Sequence, residues 1–378
     1  MRIAVVFDDG LDKPDGVQQC IITLNQWLTT QGHEVHYIVG HTTRSDIPNV
    51  HVAARNMPVR FNGNRLTIPL PTSQQKLDNL LDHIKPDVMH VHTPYSPFMG
   101  AKAIQAAPQT TGIVGTFHVL PYGFMARYGT RLLGIWLRPS LKRITALYAG
   151  TPAAADFASW SMQMPVGVMP HAVNVRQFQH TKKLKAKGSK LRIVFLGRLV
   201  QRKGALNLVR AIAALPDNVT AQIDVRIGGR GEQLAPIERL IAAHNLANFV
   251  HMDGFISEAD KPAYLAAADI AIFPSISGES FGISLIEPMA AGAGIVVGGN
   301  NLGYEAILGA WPETLFDPKD TAALTTFLIG LITDKPLRDR IHYLQQQAVN
   351  QYDVERIGQR WLEIYAQAIS DAAAFDMQ

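Results

Sequence analysis

Residues 274–292 read Pro-Ser-Ile-Ser-Gly-Glu-Ser-Phe-Gly-Ile-Ser-Leu-Ile-Glu-Pro-Met-Ala-Ala-Gly and follow a short apolar run, Ile270–Phe273. Such a run is typical of a buried strand in a parallel sheet. We therefore predict a strand, a short turn and an amphipathic helix from about Phe281. Glu279 stands at the mouth of the turn, and Glu287 lies eight residues further on. Helix positions eight apart share one side and are separated by about 12 Å along the axis. The two carboxylates can therefore reach different parts of a long ligand.

The start of this predicted helix is a candidate anion site. Ser280, Phe281 and Gly282 would present backbone N–H groups there, and the helix dipole favours an anion such as a phosphate. This arrangement suits a nucleotide-sugar: one carboxylate lies near one end of the ligand, a second lies a helix length away, and the anion site lies between them. Two glutamates at this spacing, taken alone, can equally be solvated helix residues. The residues around the two glutamates make the pattern specific.

The composition is that of a globular protein with more than one core. The chain has 378 residues, of which 47% are apolar and 17% charged, which excludes a disordered chain and suffices for two domains. The single cysteine, Cys20, excludes an internal disulfide and a cysteine-based zinc site. The 13 histidines lack a metal-ligand spacing such as H-E-x-x-H. We therefore expect no dedicated metal and no cofactor other than a nucleotide-sugar substrate.

The first strand and the charge distribution bear on location and partners. The N-terminal stretch reaches acidic residues too soon for a signal peptide, and no apolar run approaches the length of a membrane span. We expect a cytoplasmic protein. The net charge is +4, but no acidic residue lies between Asp87 and Asp156. This interval predicts an anionic partner, either a phosphate-bearing substrate or an acidic lipid surface. Its cations are Lys102, Arg127, Arg131, Arg138, Lys142 and Arg143.

Alternating strand and helix patterns predict two doubly wound α/β domains. Apolar strand runs begin at Arg2–Phe7, and a second series starts at Leu191–Leu196. A lysine-rich stretch without apolar periodicity separates the two series and is typical of a solvated linker. It lacks the interleaved aromatic residues of a nucleic-acid site, so we expect no nucleic-acid partner. The predicted boundaries are 1–174 for the first domain, 175–190 for the linker, 191–351 for the second domain and 352–378 for a final helix that returns to the first domain.

The second domain opens with a candidate diphosphate site. Residues 197–204 read Gly-Arg-Leu-Val-Gln-Arg-Lys-Gly directly after the strand Leu191–Leu196. Arg198 can offer a bidentate fork, and Lys203 a point charge. A second glycine-rich segment, 228–232, lacks the G-x-G-x-x-G spacing of a dinucleotide site. We interpret it, with Gly231, as a helix-start loop that lines the nucleotide position.

A further pair of charged residues predicts a contact to the base. Glu258 and Lys261 follow Gly-Phe-Ile at residues 254–256. The carboxylate of Glu258 could accept from the N–H groups of guanine, and the ammonium of Lys261 could donate to its O6. An exposed helix N-terminus with a favourable acid explains the same residues equally well.

Together these motifs resemble the family 4 glycosyltransferases, which have the GT-B fold and retain the anomeric configuration of the sugar. Glu279 and Glu287 match the E-x7-E signature of that family, and residues 197–204 match its donor-phosphate motif. The resemblance covers essentially the whole chain and is strongest to the bacterial phosphatidyl-myo-inositol mannosyltransferases. It implies two Rossmann-like domains with an interdomain cleft, the first binding the acceptor and the second the nucleotide-sugar.

The resemblance also assigns individual residues. His118 ends the motif Gly-Thr-Phe-His and corresponds to the histidine that contacts the donor sugar in the family. Asp15 stands where the family usually has the first glycine of Gly-Gly-Val, and the helix Gln74–Ile84 lacks the basic cluster of those mannosyltransferases. The implied catalytic residues are His118, Arg198, Lys203 and Glu279. The implied donor-binding residues are Gly16, Gly231, Phe255, Ile256, Glu258, Lys261, Ser280, Phe281, Gly282, Ile283 and Glu287.

Residues 124–137 predict a helix with two contrasting sides. Arg127, Arg131 and Arg138 fall on one flank, and the other side carries Phe124, Met125, Tyr128, Leu132, Ile135 and Trp136. This is either an ordinary core-facing helix with a solvated basic flank or an interfacial helix that lays its apolar side chains into a membrane. The candidate acceptor or membrane contacts are Gln18, Arg127, Arg131 and Trp136.

The expected activity is the transfer of a hexose from a nucleotide-sugar to a glycolipid, glycan or other acceptor in cell-envelope biosynthesis. Mannose from GDP-mannose is the first choice, and UDP-glucose or UDP-N-acetylglucosamine is the alternative. A nucleotide-sugar epimerase of GT-B architecture is a further alternative. A binding protein that has lost catalysis is disfavoured by the intact Glu279, Glu287, Arg198 and Lys203. The expected location is the cytoplasm, with peripheral contact to the inner face of the plasma membrane as an option.

Overall fold

The computed structural model describes residues 1–12, 15–61, 64–121, 123–179 and 190–376. The chain divides into two compact units: Met1–Ala172 with Val354–Gln378, and Val173–Asp353. Each unit contains one parallel sheet with helices packed on both of its faces. The prediction of two doubly wound, Rossmann-like α/β domains is therefore confirmed.

The first unit is built on a seven-stranded parallel sheet of order β3-β2-β1-β6-β7-β8-β9, and β4 and β5 form a separate antiparallel pair. The order runs outward in both directions from β1 and β6, which is the doubly wound arrangement. The strands are β1 (Arg2–Phe7), β2 (Glu34–Val39), β3 (Val50–Val52), β4 (Asn56–Phe61), β5 (Asn64–Pro69), β6 (Val88–Val91), β7 (Gly112–Phe117), β8 (Ala146–Ala149) and β9 (Val166–Val168).

Six helices and the C-terminal helix (Val354–Asp376) cover this sheet. The C-terminal helix lies so close to β7 that a Cβ at Gly112 would be 2.6 Å from the backbone of Ala368. It also contacts the first helix, where a Cβ at Gly358 would be 2.3 Å from the ring of Trp27. The other helices are α1 (Gly16–Thr30), α2 (Gln74–Ile84), α3 (Gly100–Ala106), α4 (Phe124–Trp136), α5 (Arg138–Leu141) and α6 (Pro152–Met162).

The second unit has a six-stranded parallel sheet of order β12-β11-β10-β13-β14-β15. Its strands are β10 (Leu191–Leu196), β11 (Ile223–Gly228), β12 (Val250–Gly254), β13 (Ile270–Phe273), β14 (Ile295–Gly299) and β15 (Leu315–Phe316). Its helices are α7 (Val175–Gln179), α8 (Ala205–Ala213), α9 (Asp217–Thr220), α10 (Leu234–Ala243), α11 (Lys261–Ala266), α12 (Ile283–Ala290), α13 (Leu302–Leu308), α14 (Thr321–Thr333) and α15 (Lys335–Ala348).

The central strands are apolar along their whole length because both faces of each sheet are covered. All four residues of β13 are buried, as are those of β6. One face of the first sheet packs against α2, α3 and α6, and the other against α1 and the C-terminal helix. Apolar runs without alternation, such as Ile270–Phe273, are thus the correct signal for this architecture.

Three predictions need correction or fall outside the described residues. The predicted linker begins instead with helix α7, because Val175 and Phe178 are buried in the core of the second unit. Residues 180–189, with most of the linker lysines, and the Asn62-Gly63 turn lie outside the described residues. The helix expected from about Phe281 begins at Ile283, with Gly282 as its N-cap.

Candidate active site

The second sheet reverses its strand order between β10 and β13, which are neighbours in the sheet. Ligands of open parallel sheets bind outside the carboxyl ends of the strands at such a point. The loop 197–204 follows β10 and the loop 274–282 follows β13. The two loops are joined by a hydrogen bond from the Ile276 N–H to the Arg202 carbonyl at 2.7 Å. The two motifs that carry the family resemblance therefore lie at one edge of one sheet.

Glu279 is the centre of this edge. Its side chain is buried, and Oε1 lies 2.8 Å from Lys203 Nζ, 2.8 Å from Arg202 Nη1 and 2.6 Å from Ser275 Oγ. Burial alone would raise the pKa of this carboxyl, but Lys203 and Arg202 outweigh it and hold the pKa at about 2. Glu279 is therefore an ionised acceptor at neutral pH and cannot act as a proton donor.

Two cations contact this carboxylate and a third lies near Lys203, where the sequence singled out two. Arg198 and Lys203 were predicted together, and Arg198 lies close enough to lower the pKa of Lys203, whose burial lowers it most. Arg202 was missed, although the adjacent Arg202-Lys203 pair was visible in the motif. The chain alone does not show which of these side chains turns toward the β13 loop. A cluster with this charge is suited to a diphosphate.

Helix α12 begins two residues later than predicted, and the candidate anion site at its start moves with it. Gly282 has a φ of +114°, and a Cβ there would lie 2.9 Å from the ring of Tyr304. A glycine is therefore required by both the backbone and the packing. The first helical residue is Ile283, so the backbone amides at the dipole's positive end belong to Ile283 and Ser284. Ser280 and Phe281 precede the helix rather than forming its first turn.

Glu287 and Lys261, predicted as separate nucleotide contacts, pair with each other. Lys261 Nζ lies 2.7 Å from Glu287 Oε1 and 2.7 Å from Glu258 Oε2. Lys261 and Glu287 are buried, whereas the Glu258 side chain is exposed. Although burial opposes it, the two carboxylates raise the pKa of Lys261. These three predicted donor-binding residues therefore form one ion-pair network between α11 and α12.

The other predicted nucleotide-binding positions line the ends of β11 and β12. Phe255 is 53% exposed, and the guanidinium of Arg230 lies 5.6 Å from the centre of its ring. Ile256 packs against Gly228 at the end of β11. A Cβ at Gly231 would be 2.3 Å from the carbonyl oxygen of Leu199, so only glycine allows this approach to the loop after β10. The glycine-rich segment thus abuts the cation-bearing loop.

In the first unit, His118 follows β7 and is buried. Its Nε2 lies 3.0 Å from Nδ1 of His92, which follows the neighbouring strand β6. Burial lowers the pKa of His118 well below the usual value, so its ring is neutral. The position at a strand's carboxyl end agrees with the sequence prediction, and the pairing with His92 was not foreseen.

Two further predicted contacts, Gly16 and Gln18, lie in the first turn of α1. Gly16 is exposed at the first position of α1. Gln18, a candidate acceptor contact, is buried instead, and its Nε2 donates to the Gly10 carbonyl at 3.5 Å. The acceptor role of Gln18 stays a prediction. Asp15 has an extended backbone and precedes α1 as its N-cap.

Helix α4 presents its apolar side outward. A Cβ at Gly134 would be 2.1 Å from the Ser161 carbonyl oxygen, so α4 packs against α6 through small residues. The exposed fractions of the apolar side chains are 74% for Phe124, 87% for Met125, 45% for Tyr128, 68% for Leu132, 47% for Ile135 and 67% for Trp136. The alternative of an ordinary core-facing helix is therefore wrong.

The arginines of α4 are held beside this apolar surface. The guanidinium groups of Arg127 and Arg131 lie 5.0 and 4.6 Å from the ring centre of Trp160 in α6. Arg131 also donates to the Trp160 carbonyl at 2.8 Å. Two other cations of the acid-free interval have structural partners, since Lys102 donates to the Thr72 carbonyl and Arg143 to carbonyls in the last turn of α3 and directly after it.

Within the part of the chain that the structure describes, no helix is long and apolar enough to cross a membrane. The same residues contain no group of three or more His, Cys, Asp or Glu side chains arranged to hold a metal ion.

Comparison with known proteins identifies the class. Residues 14–177 match the model described as Glycosyltransferase Family 4, and residues 176–347 match that of Glycosyl transferases group 1. The two matches follow each other with hardly any overlap and extend over both units. Both halves of the chain thus match glycosyltransferase models, the first half that of family 4, and the chain is a glycosyltransferase enzyme.

Two relatives are similar to nearly the whole chain. The chain is 28% identical to the phosphatidyl-myo-inositol mannosyltransferase of Mycolicibacterium smegmatis, over 97% of this chain and 93% of that protein. It is also 28% identical to the enzyme of the same name from Mycobacterium tuberculosis, over 97% and 96%.

Solved structures confirm the GT-B fold. Anabaena Alr3699/HepE in complex with UDP and glucose has a TM-score of 0.74 at 18% identity, covering 97% of this chain and 100% of that one. WaaG, a glycosyltransferase involved in lipopolysaccharide biosynthesis, has a TM-score of 0.70 at 16% identity, covering 96% and 98%.

Proposed function

We propose that this enzyme is a retaining mannosyltransferase that uses GDP-mannose and a glycolipid acceptor. The observation that carries the proposal is the cluster of Arg198, Arg202 and Lys203 around the buried Glu279 at the edge of the second sheet. The choice of mannose and of a lipid acceptor rests on the similarity to phosphatidyl-myo-inositol mannosyltransferases.

The cations are assigned to the diphosphate of the donor. Glu279 forms ion pairs with both Lys203 and Arg202 and offsets one of their two positive charges. When the diphosphate binds, its oxygens take over these cations together with Arg198, and Glu279 becomes available to hydroxyl groups of the transferring sugar. Charge that develops on the diphosphate as the glycosidic bond breaks is then stabilised by fixed cations. These side chains supply that charge in our proposal, which includes no metal cofactor.

Bond changes at the anomeric carbon follow from this arrangement. The bond from the anomeric carbon to the diphosphate breaks, and its electron pair goes to the departing oxygen. An acceptor hydroxyl oxygen forms the new bond, and its proton goes to the departing diphosphate. Glu279 does not serve as the acid because its pKa of about 2 keeps it ionised. His118 contacts the transferring sugar.

The nucleotide part is assigned to the network between α11 and α12. Lys261 orients the Glu287 carboxylate through the 2.7 Å ion pair, so that Glu287 can accept from ribose hydroxyls. Glu258 is exposed and pairs with Lys261, and in our proposal it accepts from the N–H groups of a guanine. Phe255 and Ile256 line the base on the side of β12.

Helix α4 is assigned to the surface of an anionic membrane. Its exposed aromatic and aliphatic side chains suit the acyl boundary, and Arg127, Arg131, Arg138 and Lys142 suit lipid phosphates. A contiguous exposed apolar surface of this kind marks an interaction site. The proposed location is thus the cytoplasm, in peripheral contact with the inner face of the plasma membrane.

GDP and GDP-mannose should stabilise the enzyme more than UDP, UDP-glucose or UDP-N-acetylglucosamine at equal concentration. A ligand at 100 times its dissociation constant stabilises by about 2.7 kcal/mol, enough to raise the melting temperature measurably. Thermal unfolding with each nucleotide measures the order of preference. The shift should be the same with a chelator present, since side-chain cations are expected to hold the diphosphate.

Two results of this experiment would contradict the assignment. A larger shift with uridine nucleotides would overturn the guanine assignment of Glu258. Incubation of the enzyme with the stabilising nucleotide-sugar and no acceptor should yield no isomer. Formation of an epimer would show that the enzyme is an epimerase and not a transferase.

Vesicles rich in anionic lipid should retain the enzyme on sedimentation, and Trp136→Ser should weaken this binding by about tenfold. A buried aromatic side chain contributes about 1.5–3 kcal/mol, and 1.4 kcal/mol corresponds to a factor of ten. Trp136 is 67% exposed on α4, and Tyr343, 63% exposed in the second unit, provides the matched control. Tyr343→Ser should bind as the unaltered protein does. Equal recovery with neutral vesicles would remove the membrane proposal.

A further inference from the structure

Four buried histidines lie together in the first unit, and the proposed reaction uses only one of them. They are His90 in β6, His92 after it, His118 after β7 and His171 after β9. The ring centres of His90 and His92 are 4.1 Å apart, those of His92 and His118 5.2 Å, and those of His118 and His171 5.0 Å. The first two of these pairs are stacked, and His92 is the middle ring of the stack.

The hydrogen bonds of this stack are unequal. His90 has both ring nitrogens engaged, Nδ1 with the Tyr365 hydroxyl and Nε2 with Thr116 Oγ1, each at 2.7 Å. His92 and His118 share a single hydrogen bond, between His92 Nδ1 and His118 Nε2 at 3.0 Å. Among the described residues, neither His92 Nε2 nor His118 Nδ1 has a hydrogen-bond partner, and both atoms are buried.

The shared hydrogen bond couples the tautomers of the two rings. Burial lowers the pKa of both histidines well below the usual value, so each ring carries one proton. One of the two facing nitrogens is therefore the donor and the other the acceptor. If His92 donates from Nδ1, His118 must carry its proton on Nδ1. If His92 accepts, His118 Nδ1 is left with a lone pair.

The two arrangements differ in which group stays unsatisfied once a ligand reaches His118. When His92 accepts, its own Nε2–H is a buried donor with no described partner. When His92 donates, Nε2 is only an unused acceptor, and the remaining donor is the Nδ1–H of His118. Orphaned buried N–H groups are rarer than under-used acceptors. A sugar oxygen that accepts from His118 Nδ1 satisfies that remaining donor.

We propose that His92 is a positioning residue that donates from Nδ1 to His118 Nε2 and so fixes His118 as the Nδ1–H tautomer. His118 thereby presents a hydrogen-bond donor to an oxygen of the transferring sugar. Both the sugar contact and the preference for this tautomer rest on the proposed function, whereas the nitrogen that carries the proton can be measured on the protein alone. The His90 ring is stacked against the His92 ring, with the ring centres 4.1 Å apart.

Two substitutions separate the hydrogen bond from the packing. His92→Phe keeps a ring in the stack but removes the donor, whereas His92→Asn keeps an N–H close to the position of Nδ1. With the nucleotide-sugar that stabilises the enzyme most, His92→Phe should lower kcat by roughly ten- to a hundredfold. His92→Asn should recover most of that loss. The dissociation constant of the nucleoside diphosphate, which lacks the sugar, should be unchanged in both.

Tyr365→Phe is the matched control, because it removes a buried hydroxyl from the same stack without touching His92 or His118. Its kcat should equal that of the unaltered enzyme. Equal kcat for His92→Phe would overturn the positioning role. A parallel loss of nucleoside diphosphate binding in His92→Phe would also overturn this role, because it would indicate that the substitution disrupts the protein generally.

Nitrogen NMR of histidine-labelled protein tests the tautomer without any ligand. His118, assigned by comparison with His118→Asn, should show a protonated Nδ1 and an unprotonated Nε2, and His92 should show a protonated Nδ1. A protonated Nε2 on His118 would overturn the proposal. If no nucleotide-sugar stabilises the enzyme, the proposed function fails while the tautomer result still stands or falls by itself.

Discussion

Lys203→Ala should lower the turnover number roughly a hundred- to a thousandfold while the fold remains intact. The ammonium of Lys203 lies 2.8 Å from Oε1 of the buried Glu279, and the same oxygen accepts from Arg202 and Ser275. Because these two partners remain, the substitution does not leave a buried carboxylate unpaired. What is lost is a fixed cation for the departing diphosphate. Steady-state release of nucleotide in the presence of acceptor measures the effect.

Lys335→Ala is the matched control for this substitution. It also removes a lysine from an ion pair with a carboxylate, but the Lys335 side chain is 72% exposed and pairs with Asp339 on the surface. Exposed pairs contribute little, so turnover and stability should stay near those of the unaltered enzyme. Near-normal turnover of Lys203→Ala, with circular dichroism unchanged, would refute the role of this cluster.

Acidification from pH 7 to pH 5 should destabilise the first unit by several kcal/mol. Burial lowers the pKa of His90 to about 3 and that of His171 to about 4, and those of His92 and His118 lie well below the usual value. Below about pH 6.5 the unfolded chain therefore binds protons that the folded unit does not, and stability falls as the pH falls.

One carboxyl in the same unit acts in the opposite direction. Burial raises the pKa of Asp8 to about 6, so the folded unit gains a proton there before the unfolded chain does. The four buried histidines and this aspartate together contribute a net slope of about 4 kcal/mol per pH unit between about pH 6 and pH 4.5. Glu279, in the second unit, loses its stabilising charge only as the pH falls from about 4.5 toward about 2.

Urea unfolding followed by tryptophan fluorescence can measure this difference. Four of the five tryptophans, Trp27, Trp136, Trp160 and Trp361, belong to the first unit, and Trp311 belongs to the second. His171→Gln should reduce the pH slope by about one proton, whatever its effect at pH 7. Equal unfolding midpoints at pH 7 and pH 5 would show that the histidines are not buried as neutral rings.

Much of the fold could be predicted from local patterns. Runs such as Ile270–Phe273 and Leu191–Leu196 have no alternation because parallel strands are covered on both faces, and both strands have the predicted bounds. The family motifs led to the correct class because they occupy the ends of β10 and β13, where such sheets bind ligands.

The partners of the site residues could not be predicted in the same way. Lys261 and Glu287 are 26 residues apart, and their ion pair depends on how α11 packs against α12. The contact of His92 with His118 requires knowing that β6 and β7 are neighbours in the sheet. Helical periodicity separates the two sides of α4 but does not say which is buried. That choice is made by Gly134, whose lack of a side chain lets α4 approach α6.

The most direct test of the central claim is a crystal structure of the enzyme with a bound nucleoside diphosphate. We predict that diphosphate oxygens lie within hydrogen-bond distance of Lys203 Nζ and the Arg198 guanidinium, and that Glu279 is no longer held by both Lys203 and Arg202. Phosphates bound elsewhere, with the Lys203–Glu279–Arg202 ion pairs unchanged, would contradict the assignment of these residues to the donor.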